Sequence, residues 1–402
     1  MLFLTQYSTR LRLMNILTFS ETSRKAYAFV FPLFLFFSAI FCMSTRTNNL
    51  FHISFALFIF SLFYKENFLQ FVEKTKKKRL TFILVALMGV YYAATNIWGN
   101  TLYNLGSVLT HTLYIVVYLL LLTTLLEEPK TRHIALASIV AGVTVLSVYT
   151  LATDYSLVAN LRQVSLSNPG PQNVIDLAGY CGIGILLSCM LLKEKGQQFY
   201  YIPIIIMLIM MIITQSRGPI LALLIAFIFT LHRSVLTRRN ITISLIIALI
   251  LLAMAVLTPV GAMLMERFEV LGTQSGLRLS IWHHTLEELS GHPWLGRGFD
   301  YQLDFINYSG EHITTTHSIY LGALLKGGIV GFTLLMAVIC SGMWRALKKF
   351  RENNRYDVAL FIYALIFMSS QGMFIINNPR ESWVLFWLPL GLVISRSLKK
   401  QS

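Results

Sequence analysis

Charge is what this sequence has least of. Asp, Glu, Lys and Arg make up 13% of its 402 residues, where a soluble domain carries about a quarter. That shortage excludes a water-facing surface over most of the chain and leaves no room for a sizeable soluble domain. Cysteine is scarce too. Cys42, Cys181, Cys189 and Cys340 all fall inside apolar runs, which excludes a disulfide framework and CxxC zinc pairs. No P-loop, Rossmann fingerprint, HExxH or DxD-like motif is present, so nothing points to a nucleotide, a metal or another cofactor. Internal repeats and low-complexity tracts are also missing.

What the chain does have is apolar sequence, 55% of it, in long runs rather than in a strand or one-sided helix period. A bilayer crossing takes about 20 such residues, because the hydrocarbon core is ~30 Å thick and a helical residue rises ~1.5 Å. The runs predict an all-α, polytopic membrane protein of about 12 transmembrane helices. Spans are expected near 27–45, 50–64, 81–98, 104–126, 134–153, 173–192, 199–215, 219–232, 241–260, 318–344, 357–376 and 383–395. The domain organisation is one integral membrane domain, with helices over 1–260, a long outer loop over 261–317, and the last helices over 318–402. Arg10, Arg12, Arg24 and Lys25 precede the first run without a cleavage pattern, so that span is expected to persist.

The net charge of +15 reports topology. The basic residues lie in short inter-helix loops, densest at Lys74, Lys76, Lys77, Lys78 and Arg79, and not in one stripe; nucleic acid is not an expected partner. With both termini cytoplasmic, seven Lys/Arg fall outside, Lys326 lies within a span, and the rest face the cytoplasm, as the positive-inside rule demands. The seven are Arg46, Arg162, Arg217, Arg267, Arg278, Arg297 and Arg380, every one an arginine. Either this is ordinary interfacial anchoring, or several bind phosphate, whose oxygens the planar guanidinium fork matches two at a time.

Three places could carry chemistry. Thr214-Gln215-Ser216-Arg217-Gly218-Pro219 joins two spans at the outer face. Ser216 is a candidate cap, Gly218 a candidate sharp turn, and Pro219 suits a first helical turn. An anion at that helix start would meet both the helix dipole and Arg217; alternatively the arginine only touches lipid headgroups. The outer loop from Gly261 to His317 is long enough to be functional. It holds an amphipathic helix with Leu279, Trp282, Leu286 and Leu289 on one face, Arg278 near its start, and a stop at Gly291–Pro293. His317 closes the loop, while His283, His284, His292 and His312 compete with it. A smaller outer loop, 154–172, turns at Asn168-Pro169-Gly170-Pro171. Lys326, Asp176 and His111, in or near spans, keep a transporter reading open.

Ser216-Arg217-Gly218, then Arg278 and Trp282, then His292-Pro293-Trp294-Leu295-Gly296-Arg297-Gly298-Phe299, then His317-Ser318-Ile319-Tyr320-Leu321 resembles the O-antigen ligase and polymerase family over roughly residues 200 to 335. The resemblance implies a GT-C-like, inverting, metal-independent glycosyltransferase of the bacterial inner membrane, without cofactors. Its partners would be an undecaprenyl-diphosphate-linked glycan donor, a lipid A-core acceptor and membrane lipids. It also implies that Arg217 and Arg278 hold the diphosphate, with Arg297 as auxiliary, and that His317 orients or deprotonates the acceptor hydroxyl. Where the family usually has asparagine after the histidine, this chain has Ser318. A polymerase with a glycan acceptor, or a lipid-linked glycan flippase, are the alternatives.

Overall fold

In the computed structural model the described residues are 2–99, 102–231, 242, 276–307, 310–372 and 374–396, with side chains described from residue 20 onward. The span expected at 241–260, Arg267 and the loop start at 261–275 lie outside them, apart from residue 242. The fold is helical: α1 (Leu2–Ile40), α2 (Asn48–Ser61), α3 (Lys65–Lys76), α4 (Arg79–Ala94), α5 (Leu105–Leu125), α6 (Pro129–Thr153), α7 (Val174–Lys195), α8 (Tyr201–Ile213) and α9 (Arg217–Thr230) precede α10, over 276–290. A two-residue antiparallel ribbon, β1 (Phe305–Ile306) with β2 (His312–Ile313), leads into α11 (Ile319–Arg351), α12 (Arg355–Met368) and α13 (Leu388–Ile394).

Six helices are long and apolar enough to cross a bilayer, or seven if the bent α2–α3 pair forms one span. The chain is therefore a multi-pass membrane protein. α8, α9 and the Trp383–Ile394 segment are shorter apolar helices, too short to cross unaided at 1.5 Å per residue. The span expected at 357–376 stops at Met368, because Ser369-Ser370-Gln371-Gly372 brings polar groups and a glycine that end the helix. α7 is the axis of the bundle, 89% buried along its apolar window. Lipid tails are as apolar as leucine, so close approach rather than hydrophobicity holds such helices together. Gly182 of α7 shows this: a methyl group there would sit 2.1 Å from the Tyr363 hydroxyl of α12.

α11 is broken. Gly328 has φ 59° and ψ −162°, a backbone region open essentially to glycine alone, and a Cβ there would lie 2.3 Å from the Trp294 carbonyl. The orphaned groups of the break are taken up by the loop. Arg297 and Gly298 donate their backbone N–H to Leu325 and Lys326 carbonyls at 2.9 and 3.0 Å, and Ile329 and Val330 donate theirs to Pro293 and Trp294 carbonyls at 2.9 and 3.2 Å. Irregular backbone at membrane depth survives only when protein satisfies it in this way. Lys326, expected within a continuous span, instead donates from Nζ to the carbonyls of Phe299 and Tyr301.

Two further expectations change. In α10 the buried face is Ile281, Thr285 and Leu289, whereas Leu279 and Leu286 are exposed. The loop core that receives α10 joins Ile281 to Leu303, Ile313 and Leu325, with Trp282 packed against it. Ser216 occupies the cap position of α9 without capping it, and its hydroxyl donates back to the Thr214 carbonyl at 3.3 Å. The sharp turn is made by Gln215 (φ 52°), not Gly218.

Candidate active site

Call the end of the bundle with Gln215–Arg217, α10 and His317 the loop end. Arg217 is the first residue of α9, and the missing serine cap leaves the first N–H groups of that helix open to a ligand. Its guanidinium Nη1 is buried and has no hydrogen-bond partner among the described residues. An unpaired buried donor on a charged group costs about 1–3 kcal/mol or more, a cost that an anion's oxygens would remove. Gln215 is fixed beside it by donating Nε2–H to the Ala159 carbonyl at 2.9 Å.

The positive charge of Arg278 is felt at His317. His317 is half-buried in a left-handed conformation, φ 47°, strained for a residue with a Cβ. Ser318 follows in extended backbone as the cap of α11 and accepts from the Leu321 N–H at 3.5 Å. Thr316 ties the same turn through its hydroxyl to the Ser318 carbonyl at 2.7 Å. Burial, and then the positive charge of Arg278, hold the His317 imidazole below its ordinary pKa, with Glu311 opposing. A neutral imidazole there can accept a proton. Burial likewise lowers the pKa of Arg278, which favours an anionic partner that would restore its solvation.

The strand of chain after α12 links the two halves. A methyl group on Gly218 would meet the Ser370 hydroxyl at 3.3 Å, one on Gly372 would meet Thr315 Oγ1 at 2.6 Å, and one on Gly322 would meet Thr316 Oγ1 at 3.3 Å. So Ser370 lies against the start of α9 while Gly372 lies against the threonine run that ends at His317. Between them Gln371 is buried with its Nε2 donor unpartnered. Sequence reasoning missed this residue, because it was counted into a span. Its only signal was a polar Ser-Ser-Gln-Gly interruption. Trp282, one turn from Arg278, also buries an unpartnered indole N–H.

Other expected residues are engaged elsewhere. Arg297 donates to the Glu288 carboxylate at 2.8 Å and the Glu288 carbonyl at 2.9 Å, and stacks on Tyr301, whose hydroxyl donates to the same carboxylate at 2.6 Å. His312 pairs with Asp304 at 2.6 Å, His283 with Glu287 at 3.3 Å, and His284 lies 3.5 Å from Glu287; His292 is exposed. Arg46 and Arg380 are exposed as well. Arg162 is left-handed at the end of the turn Leu157–Leu161. The turn at Asn168 forms as expected, with its amide donating to Asp154 at 2.8 Å and its carbonyl oxygen accepting from Gly170 at 3.0 Å. Asp176 lies near Glu381, and His111 near Asn378 in a small cavity that Arg380 also lines. Among the described residues no group of three His, Cys, Asp or Glu side chains is placed to hold a metal ion.

Comparison with known proteins meets this geometry. Residues 202–336 match the sequence model of the family described as O-antigen ligase. The chain is also 29% identical over 192 residues to an O-antigen ligase of Pseudomonas aeruginosa, a match covering 46% of this chain and 44% of the relative, so under half of that protein's length is spanned. The matched segment holds Arg217, α10, the helix break and His317, and over it the O-antigen ligase family resemblance read from the motifs is borne out.

Proposed function

We propose that the chain is an O-antigen ligase, transferring a glycan from undecaprenyl diphosphate to a sugar hydroxyl of lipid A-core at the periplasmic face of the inner membrane and so completing lipopolysaccharide. The observation that carries the reading is the pairing of an under-partnered arginine at a helix start, Arg217, with a neutral-leaning histidine beside a second arginine, His317 and Arg278. In this reading the protein is one integral membrane domain of about 12 spans, with helices over 1–260, the loop over 261–317 and the remaining helices over 318–402. Both termini face the cytoplasm.

The chemistry follows from the three side chains. His317 takes the proton of the acceptor hydroxyl as its oxygen attacks the anomeric carbon from the face opposite the diphosphate. The sugar–phosphate bond breaks with inversion, and undecaprenyl diphosphate leaves with its charge held by Arg217 and Arg278. Fixed cations aimed at developing charge lower the barrier without reorganising, and one such donor is typically worth ~10²–10³ in rate. A positioned base adds ~10²–10⁴. No cofactor or metal enters this scheme. Arg297, already neutralised by Glu288, positions the loop rather than holding phosphate.

The broken α11 with Lys326 at its end is the feature that most favours a flippase or transporter, since such proteins place their sites at half-helix ends. Here the break is filled by loop backbone and Lys326 is occupied by two loop carbonyls, which supports the enzyme reading. The deciding experiment incubates purified protein with undecaprenyl-diphosphate glycan and lipid A-core. Extended lipopolysaccharide is the expected product. Elongated lipid-linked glycan would make the protein a polymerase, and movement of glycan across vesicles without transfer would overturn the enzyme altogether.

A further inference from the structure

A cavity of about 1080 Å³ lies at the other end of the bundle, lined from the ends of α3, α6, α7, α11, α12 and α13 and from Glu127 just after α5. Ten Lys and Arg side chains line it against five Asp and Glu. Three of those carboxylates are already used. Glu127 takes Lys78 at 2.6 Å, Asp357 takes Lys349 at 2.5 Å and Arg132 at 2.8 Å, and Glu194 lies 3.3 Å from Arg132. Lys77, Lys195, Arg345, Lys348 and Arg396 line the same space with no carboxylate partner among the described residues. Cations gathered on a concave wall repel one another, and bound anions relieve that repulsion.

Two rims of the cavity are built for lipid. α3 turns away from α2 by 113° and buries none of its residues. It exposes Phe68 and Leu69 while its Gln70, Glu73 and Lys74 face the cavity. A short amphipathic helix of that kind lies in the plane of the membrane surface. Across the opening, α11 exposes Trp344 and Leu347 beside Arg345 and Lys348, and the Arg345 guanidinium stacks on the Trp344 ring at 4.7 Å. Exposed tryptophan next to basic residues marks the headgroup level of a bilayer. The cavity thus joins a cationic wall to apolar flanks at one membrane surface, the surface that the lysine bias assigns to the cytoplasm.

We propose that this cavity binds the phosphate headgroup of an anionic glycerophospholipid, whose acyl chains run along the exposed flanks of α3 and α11. The site is separate from the glycan-transfer reading and stands or falls without it. The test is native mass spectrometry of the full-length protein released from micelles holding equal phosphatidylglycerol and phosphatidylcholine. Wild type is expected to retain phosphatidylglycerol in at least tenfold preference. Lys77→Gln with Lys348→Gln, both exposed and outside any helix–helix contact by charge, should lose that preference while melting normally, and Arg345→Gln should weaken it independently. Arg46→Gln, exposed and outside the cavity lining, should retain it. Equal retention of both lipids by wild type, or unchanged preference in the double variant and in Arg345→Gln, overturns the proposal. Inorganic pyrophosphate separates the sources. If it stabilises delipidated protein as strongly as phosphatidylglycerol does, the ligand is a soluble phosphate and the lipid assignment falls.

Discussion

Each end of the bundle holds an arginine with a buried guanidinium nitrogen, and the two are treated in opposite ways. At the basic end Arg132 lies between Glu194 and Asp357, and Asp357 also holds Lys349, which reaches on to the Leu392 carbonyl and Ser395. Arg132 keeps one unpartnered atom, Nε, but two carboxylates neutralise its charge. At the loop end Arg217 has no carboxylate partner among the described residues and a buried Nη1 with nothing to bind. A saturated charge joins helices, and an unsaturated one is open to the anionic ligand proposed for Arg217. The same residue type therefore does structural work at one end and is left under-partnered at the other.

That contrast can be broken at four points. Asp357→Ala should have the largest effect, leaving Arg132 and Lys349 buried without their shared carboxylate at a cost of about 3–5 kcal/mol; a collapse in thermal stability of purified protein is the measurement, and an unchanged melting curve would show the triad to be idle. Arg217→Ala should do the reverse, cutting glycan transfer by ~10²–10³ with melting unchanged or improved. Arg217→Lys should recover little, because a point charge cannot bind two phosphate oxygens at once; full activity there would sink the bidentate argument.

Gly328→Ala should cost about 1–3 kcal/mol, since a Cβ meets the Trp294 carbonyl at the break. Limited proteolysis of the 291–301 loop should accelerate with it. The smallest effect concerns pH. The His317 pKa is lowered, and the neutral imidazole is the form that accepts a proton, so transfer should hold constant above the ordinary histidine range. It should fall only as pH drops below that range, through the lowered pKa. Because Arg278 is part of the cause, Arg278→Gln should move that acid limb to higher pH in the residual activity. A limb that stays in place would separate the two side chains.

How much of this was legible in advance differs by element. The hairpin around Arg217, the helix of Arg278 and the His317 turn were all marked by residue order, because helix starts and turns are local events. The face of α10 was not. Leu279 and Leu286 look as apolar as Ile281 and Leu289, and only the loop core against them decides which row is buried. Gln371 was hidden because a hydropathy run averages over three polar residues and a glycine, whereas a helix ends at the particular residue that cannot continue it. Arg297 looked equivalent to Arg217 in charge and side, and Glu288, nine residues earlier, removed the equivalence.

By itself the sequence determined that this chain lives in lipid and where most of its helices lie, since scarce charge and long apolar runs have no other stable solution. For the orientation expected from the charge bias, it also singled out the arginines that stand against it. Only the tertiary structure decided which of them are spent. Pairing depends on carboxylates brought from distant helices, Asp357 to Arg132 across 225 residues, and on a loop backbone that enters the break at Gly328. Such contacts are set by packing geometry, which no local pattern encodes.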